Sequence, residues 1–311
     1  MIQDILTTLL EVIVPLAIPV VVGALLARYR NLDTKPLITL YFYMLSPALI
    51  FDALLNAELT WDDVYKTVAF SLLNLVLLWA VARGIGRLLR LPTTDTAGLT
   101  LISTFTNSVN YGLPLVLLAF GQLGLDKASI YVISQMVIVN TIGIYFAARS
   151  HFSVRQAIRS VFALPAIYAG MAAALVLLLD VQLPEPLLTG ISMVAAAYSP
   201  IVMAVLGVQM MNVRTERLEP RMRRALGAGL VIRLALAPAI AWLVLLALNV
   251  DGMLRAVLFI LASMPVAVNA VMLSTRFDAS PRLVAKCILW TTLASFLLLP
   301  VLITLVATGT Q

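Results

Sequence analysis

Charged side chains are scarce in this chain of 311 residues: Asp, Glu, Lys and Arg together make up 12% of it, about half of the roughly 25% found in soluble globular proteins. Hydrophobic residues reach 62%, and the mean hydropathy is +1.02. So little polar surface argues against a water-soluble enzyme, a nucleic-acid-binding protein and a disordered chain. The net charge of +6 does not favour nucleic acid either, because basic residues in membrane proteins act as topology signals. The composition predicts a membrane protein.

Cysteine and histidine are nearly absent. The single cysteine, Cys287, excludes an internal disulfide and any site built from several cysteines. The single histidine, His151, excludes metal motifs that need two histidines. We therefore expect no metal and no cofactor. The N-terminus carries acids rather than a basic segment, which predicts a first membrane helix and not a cleaved signal peptide.

Long apolar runs are what the chain does have. A helix needs about 20 mostly apolar residues to cross the hydrocarbon core. Ten such runs lie near residues 8–27, 37–56, 66–89, 97–121, 128–148, 162–180, 187–212, 225–249, 254–275 and 283–308. The runs are continuous rather than alternating, which favours a helical bundle over a β-barrel. The predicted fold class is an all-α integral membrane protein with one transmembrane domain over residues 1–311.

Basic residues alternate between the loops and so predict the topology. Of the 21 lysines and arginines, 17 fall in loops on one side of the ten spans. These are Arg28, Arg30, Lys35, Arg83, Arg87, Arg90, Arg149, Arg155, Arg159, Arg214, Arg217, Arg221, Arg223, Arg224, Arg276, Arg282 and Lys286. Only Lys66, Lys127 and Arg255 fall on the other side. The positive-inside rule predicts a multi-pass protein of the inner (plasma) membrane with both termini outside.

Weak internal symmetry divides the ten spans into two groups of five. The run LSPALIF at 45–51 recurs as YSPIVMA at 198–204, and Pro114 has a counterpart in Pro265, at similar offsets of 153 and 151 residues. Because each group has an odd number of spans, the second group has the opposite orientation in the membrane. We predict inverted repeats over about 8–149 and 162–308, an arrangement typical of secondary transporters.

The fourth and ninth spans both contain helix-breaking residues near mid-membrane. In TFTNSVNYGLP at 104–114 these are Asn107, Ser108, Asn110, Gly112 and Pro114; in SMPVAVN at 263–269 they are Pro265 and Asn269. Each proline is expected in the first turn of a new half-helix. Two half-helix N-termini would then converge at the bilayer centre and suit a carboxylate. The alternative is a pair of packed kinks whose polar groups bond neighbouring helices.

Other polar residues inside the spans remain open. Arg233 lies deep in the eighth span, where it could neutralise an anionic substrate, replace a cation at the helix breaks, or snorkel to the surface. Gln135, Asn140 and Ser46 could line the same cavity or bond between helices. The in-span carboxylates Glu11 and Asp52 lie near the outer helix ends, so no coupling-ion site is predicted.

The runs NSVNYGLP at 107–114 and MPVAVN at 264–269 resemble the auxin efflux carrier family, which includes plant PIN auxin exporters and bacterial malonate or malate permeases. The resemblance covers the whole chain but lacks the long loop of many plant members. It implies a fold similar to sodium/proton antiporters and bile-acid symporters, with crossing fourth and ninth helices. It also implies elevator-type alternating access, a scaffold of spans 1, 2, 6 and 7, and a homodimer.

The function expected from these observations is secondary transport of a small organic anion, either a dicarboxylate such as malonate or malate, or an auxin-like monocarboxylate. A proton or sodium ion as coupling ion stays open. No P-loop is present, so this chain does not use ATP. One alternative is a non-transporting sensor or scaffold. The other is an integral-membrane enzyme, for which the pair Asp62 and Asp63 lacks a supporting third carboxylate; we expect no catalytic residues.

Overall fold

The computed structural model describes residues 2–55, 60–138, 141–142, 162–211 and 220–307. Within these ranges the chain forms helices and one isolated β-bridge. The helices are α1 (Gln3–Arg30), α2 (Lys35–Leu55), α3 (Trp61–Leu88), α4 (Thr93–Thr104), α5 (Ser108–Ile138), α6 (Pro165–Leu178), α7 (Glu185–Met211), α8 (Met222–Ala247), α9 (Gly252–Ala262), α10 (Asn269–Arg276) and α11 (Pro281–Ala307). The expected all-helical class is confirmed for the described part of the chain.

Seven of these helices, namely α1, α2, α3, α5, α7, α8 and α11, are long and apolar enough to cross a membrane. Helices α6 and α9 are apolar but shorter. Helix α5 is kinked at Gly121, whose φ of +66° favours glycine, so residues 108–120 and 122–138 are separate helical segments. The expected basic loops with Arg149, His151, Arg155, Arg159, Arg214 and Arg217, together with Asn140, lie outside the described residues.

Among the described residues, four helices contain a turn of wider π-helix. These turns are Leu9–Ile13, Tyr41–Leu45, Ser108–Gly112 and Ile232–Leu236. Each one ends two residues before a proline: Pro15, Pro47, Pro114 and Pro238. A proline inside a helix lacks an N–H and its ring crowds the carbonyl of the preceding turn. Widening that turn relieves the crowding, so the prolines account for the π turns.

Close packing joins α1 to α7 and α2 to α6. A Cβ atom on Gly23 of α1 would lie 2.0 Å from the carbonyl oxygen of Ala204 in α7. One on Gly207 of α7 would lie 1.9 Å from that of Val20 in α1. Only glycine allows the two backbones to approach this closely, a device common between membrane helices.

The chain breaks between α4 and α5 and again between α9 and α10, and the two breaks pair with each other. Thr106 and Val266 form an antiparallel bridge. The N–H of Asn107 donates to the carbonyl oxygen of Pro265 at 2.8 Å. The N–H of Ala267 donates to the carbonyl oxygen of Phe105 at 2.9 Å. The extended segments thus satisfy each other's backbone groups, as the interior of a membrane requires.

The expected breaks are confirmed in both places, but the expected role of the prolines is wrong. The helix after the first break begins at Ser108, six residues before Pro114, which lies inside α5. Pro265 lies in the second break itself, ahead of α10. The paired segments centre on Thr106 and Val266, so Pro114 and Pro265 do not occupy equivalent positions.

Candidate functional site

A cavity of about 330 Å³ lies beside the paired breaks. Helix α2 forms one wall, and the first residues of α5 and α10 form the other. Six of the residues expected from the sequence to bind a substrate line it: Ser46, Asn107, Ser108, Asn110, Gln135 and Asn269. Residues separated by more than 200 positions in the sequence are thus brought to one place.

Three residues of the first break that line this cavity each have a buried polar side-chain atom without a hydrogen-bond partner among the described residues. These atoms are the hydroxyl oxygens of Thr106 and Ser108 and the amide nitrogen of Asn107. All three residues are buried, Ser108 completely. An unpaired buried donor costs about 1–3 kcal/mol, so such groups call for a ligand or a bound water. Their position makes the cavity wall a set of donors.

The N-termini of α5 and α10 end at the same cavity, as expected from the sequence. Ser108 and Asn269 are the first residues of these helices. The N-terminus of a helix carries the positive end of the helix dipole. In α10 the N–H groups of Ala270 and Val271 already donate to the carbonyl oxygens of Ala267 and Val268, so this helix offers an oxyanion its dipole rather than these two donors.

Tyr41 completes the site, and sequence reasoning missed it. It is the first residue of the π turn in α2. Its phenol lies near the side chains of Asn110 and Asn269, and the three residues line the same cavity. A tyrosine in an apolar run ordinarily reads as packing, but Tyr41 precedes Pro47 by six residues, as Ser108 precedes Pro114. Leu9 and Ile232 have the same spacing to a proline and line neither cavity, so the spacing alone does not identify Tyr41.

A larger cavity of about 660 Å³ shares Tyr41, Asn110 and Asn269 with the first. It extends between α7, α10 and α11 to Arg282 and Lys286. Most of its wall is apolar, and its far end is basic. An anion approaching from that end would therefore meet positive charge before it reached the asparagines.

Four expected site residues do not line either cavity: Gly112, Pro114, Pro265 and Arg233. A Cβ atom on Gly112 would lie 2.6 Å from a side-chain carbon of Leu261, so this glycine allows α9 to pack against α5. Pro114 is buried within α5, and Pro265 supplies the carbonyl that Asn107 binds. These residues shape the site rather than contact its contents.

Arg233 is completely buried, so the expectation that it snorkels to the surface is wrong. Its Nε donates to the carbonyl oxygen of Met264 at 2.9 Å, and one terminal nitrogen donates to that of Ser103 at 2.9 Å. The other terminal nitrogen donates to that of Ala262. In the described part of the chain these three carbonyls are thus bound by a guanidinium rather than by the nearby asparagines.

Thr291 of α11 supplies the matching acceptor. Its hydroxyl oxygen accepts from the N–H of Val266 at 3.2 Å. No asparagine or serine beside the breaks performs this task in the described part of the chain. Sequence reasoning could not single out this residue, because threonines are ordinary in membrane helices.

The acidic residues considered for other roles are engaged elsewhere. Asp62 pairs with Lys66 at 2.6 Å, and Asp63 pairs with Lys127 at 2.9 Å. Asp52 accepts from the hydroxyl of Ser192 at 2.5 Å. Within the described residues, no group of three or more His, Cys, Asp or Glu side chains could hold a metal ion.

Comparison with known proteins places this site in context. A family profile described as "Membrane transport protein" matches residues 5–156 and 148–303. An uncharacterized transporter of Methanocaldococcus jannaschii is 25% identical over 224 residues, 68% of either chain. An uncharacterized transporter of Methanothermobacter thermautotrophicus is 26% identical over 264 residues, covering 82% of this chain and 83% of its own. The similarity thus covers both helix breaks.

Proposed function

Because this chain belongs to the membrane transport family of the auxin efflux carrier type, we propose that it is a secondary transporter of a small organic anion. The substrate is a dicarboxylate such as malonate or malate, or an auxin-like monocarboxylate. The family and both named relatives are transporters rather than enzymes. Several apolar helices and this family make the chain a multi-pass membrane protein.

One observation carries the proposal: Asn107 and Ser108, which line a cavity at the N-terminus of α5, each have a buried side-chain donor without a partner among the described residues. A carboxylate would accept from these donors and from the amides of Asn110 and Asn269. Hydrogen bonds to an ionised acceptor are about twice as strong as neutral ones. Binding of a carboxylate would thus offset the free-energy cost of burying these donors without an acceptor.

We propose that the chain has ten spans in two inverted repeats, about 8–149 and 162–308. The broken fourth span consists of α4 with residues 108–120, and the ninth of α9 with α10. In two repeats of five spans, span 1 corresponds to span 6 and span 2 to span 7. The contact between spans 1 and 7 therefore has a symmetric counterpart in the contact between spans 6 and 2. These are the pairs α1–α7 and α2–α6, both of which pack closely. The packing is what such a pseudo-twofold axis requires.

The transport step in this proposal is an elevator movement. Spans 1, 2, 6 and 7 form the scaffold, and the remaining spans move with the substrate. Tyr41 belongs to the scaffold, whereas Asn110 and Asn269 belong to the moving unit, so the site lies at the boundary between them. The homodimer proposed on family resemblance would form through the scaffold.

The proposed topology is a plasma (inner) membrane protein with both termini outside. The contact of Lys127 in α5 with Asp63 at the start of α3 joins two positions that the charge distribution assigns to the outer side. Arg282 and Lys286, assigned to the inner side, lie at the basic end of the larger cavity. In this orientation the site is reached from the cytoplasm.

Uptake into proteoliposomes tests the proposal. The panel contains dicarboxylates, monocarboxylates and indole acids, each with and without proton and sodium gradients. We expect saturable uptake of at least one carboxylate. Saturable binding without uptake would favour the sensor alternative, and chemical conversion of a carboxylate would favour the enzyme.

A further inference from the structure

The guanidinium of Arg233 occupies an unusual position for a buried charge. Its three described hydrogen bonds all go to backbone carbonyl oxygens, those of Ser103, Ala262 and Met264. Within the described residues no carboxylate pairs with it. A buried charge needs compensation, and here it comes from the backbone.

The carbonyls belong to the C-terminal ends of α4 and α9. Ser103 lies in the last turn of α4, and Ala262 is the last residue of α9. Each helix C-terminus carries roughly half a negative charge. Two such ends facing each other repel, and together they balance about one positive charge. A guanidinium between them satisfies both the hydrogen bonds and the charge.

We propose that the carbonyl oxygens of Ser103, Ala262 and Met264 form a cation site at the paired breaks, which the side chain of Arg233 fills permanently. This inference rests on the transport function proposed above. If the side chain fills the site, the protein needs no inorganic cation at this position. The carbonyl ring would accept a free guanidinium ion once the side chain is removed.

The arrangement also separates the two signs of charge across the breaks. The carbonyl ends of α4 and α9 face Arg233, whereas the N–H ends of α5 and α10 face the cavity with Asn107 and Asn269. Arg233 itself lines neither cavity. It acts as a positioning residue: it holds the two half-helix ends together and leaves the donors opposite free for an anion.

Chemical rescue tests the site in the full-length, detergent-solubilised protein. The variant Arg233→Ala leaves three buried carbonyls without this donor. Its thermal unfolding midpoint should fall by about 5 °C or more. Guanidinium chloride at about 10 mM should restore a large part of that loss, because a ligand that binds only the folded state stabilises it. Sodium chloride at the same concentration should not.

Arg255→Ala is the matched control, since Arg255 is partly exposed and lies over the ring of Trp242. It and the wild type should gain no stability from guanidinium, and Arg233→Lys should lose less than Arg233→Ala. An unchanged midpoint for Arg233→Ala, or equal responses of Arg233→Ala to guanidinium and sodium, would overturn the proposal.

The wild type gives a second readout if Arg233→Ala does not fold. Its unfolding midpoint should be the same in potassium and choline chloride at one pH and ionic strength. A specific stabilisation by potassium would overturn the filled site. Both readouts measure stability, so they keep their meaning even if no carboxylate is transported, which would instead contradict the proposed function.

Discussion

The backbone N–H of Asn107 is bonded to the carbonyl oxygen of Pro265, at 2.8 Å, across 158 positions of sequence. The bond fixes the backbone of Asn107, while the nitrogen of its side chain stays unpaired in the described structure. The residue thus separates two tasks. Its main chain holds the two breaks together, and its side chain remains available to a substrate.

Asn110→Ala should weaken substrate binding while the protein still inserts and remains monodisperse. The lost hydrogen bond to a charged group is worth about 1.5–3 kcal/mol, or roughly 10- to 150-fold in affinity. Isothermal titration with a transported carboxylate measures it. Gln182→Ala, at an exposed loop position, is the control and should bind normally. Normal affinity in Asn110→Ala would contradict the site at its centre, and misfolding would support the packed-kink alternative.

Ser108→Ala should separate stability from binding. The hydroxyl of Ser108 is buried and unpaired in the described part of the chain, so its removal should leave the unfolding midpoint of the empty protein unchanged or raise it. Affinity for the carboxylate should fall by roughly 10- to 150-fold, for a loss of about 1.5–3 kcal/mol from a hydrogen bond to a charged group. A lower midpoint without ligand would show that the hydroxyl has a structural partner.

Two adjacent threonines of α11 form a matched pair. Thr291→Val removes the acceptor of the Val266 N–H and should destabilise the protein by about 1–3 kcal/mol. Thr292→Val removes a buried hydroxyl that has no partner among the described residues, so it should be neutral or stabilising. Thermal unfolding of the two variants side by side measures the difference. Equal midpoints would show that the bond to Val266 contributes little.

Gly23→Ala should disrupt the packing of α1 against α7. The new Cβ would lie 2.0 Å from the carbonyl oxygen of Ala204, and overpacking of this kind costs about 1–3 kcal/mol. Gly84→Ala is the control, because nothing lies within 4 Å of a Cβ there. We expect a lower unfolding midpoint and aggregation on size-exclusion chromatography for Gly23→Ala only. Wild-type behaviour of both variants would contradict the close contact.

Cysteine labelling tests the proposed topology. The native Cys287 is completely buried and should stay unlabelled. An impermeant maleimide should label Gln182→Cys in intact cells, but Asp33→Cys only after the membrane is permeabilised. Both positions are exposed and lie in loops assigned to opposite sides. The reverse pattern would invert the topology.

Several features of this fold were predictable because they rest on side-chain chemistry. Apolar runs indicated helices, and the polar runs with Asn110 and Asn269 indicated the breaks and the cavity beside them. The partners of Arg233 were not predictable, because they are backbone carbonyls that every residue possesses. The predicted position of Pro114, in the first turn of a new half-helix, was wrong for a related reason. A proline can begin a helix or follow a widened turn, and only the position of Ser108 distinguishes the two.

The π turns also set the rotational phase of the helices that contain them. Relative to a regular helix, a π turn accommodates one extra residue, and successive residues are about 100° apart around a regular helix. The side chains before and after Tyr41–Leu45 in α2 therefore follow two different stripes. Loss of one residue there would rotate Tyr41 away from the cavity while Ser46–Leu55 kept its neighbours. Evolution could thus re-aim the binding face of this helix by a single insertion or deletion, independently of the face that packs.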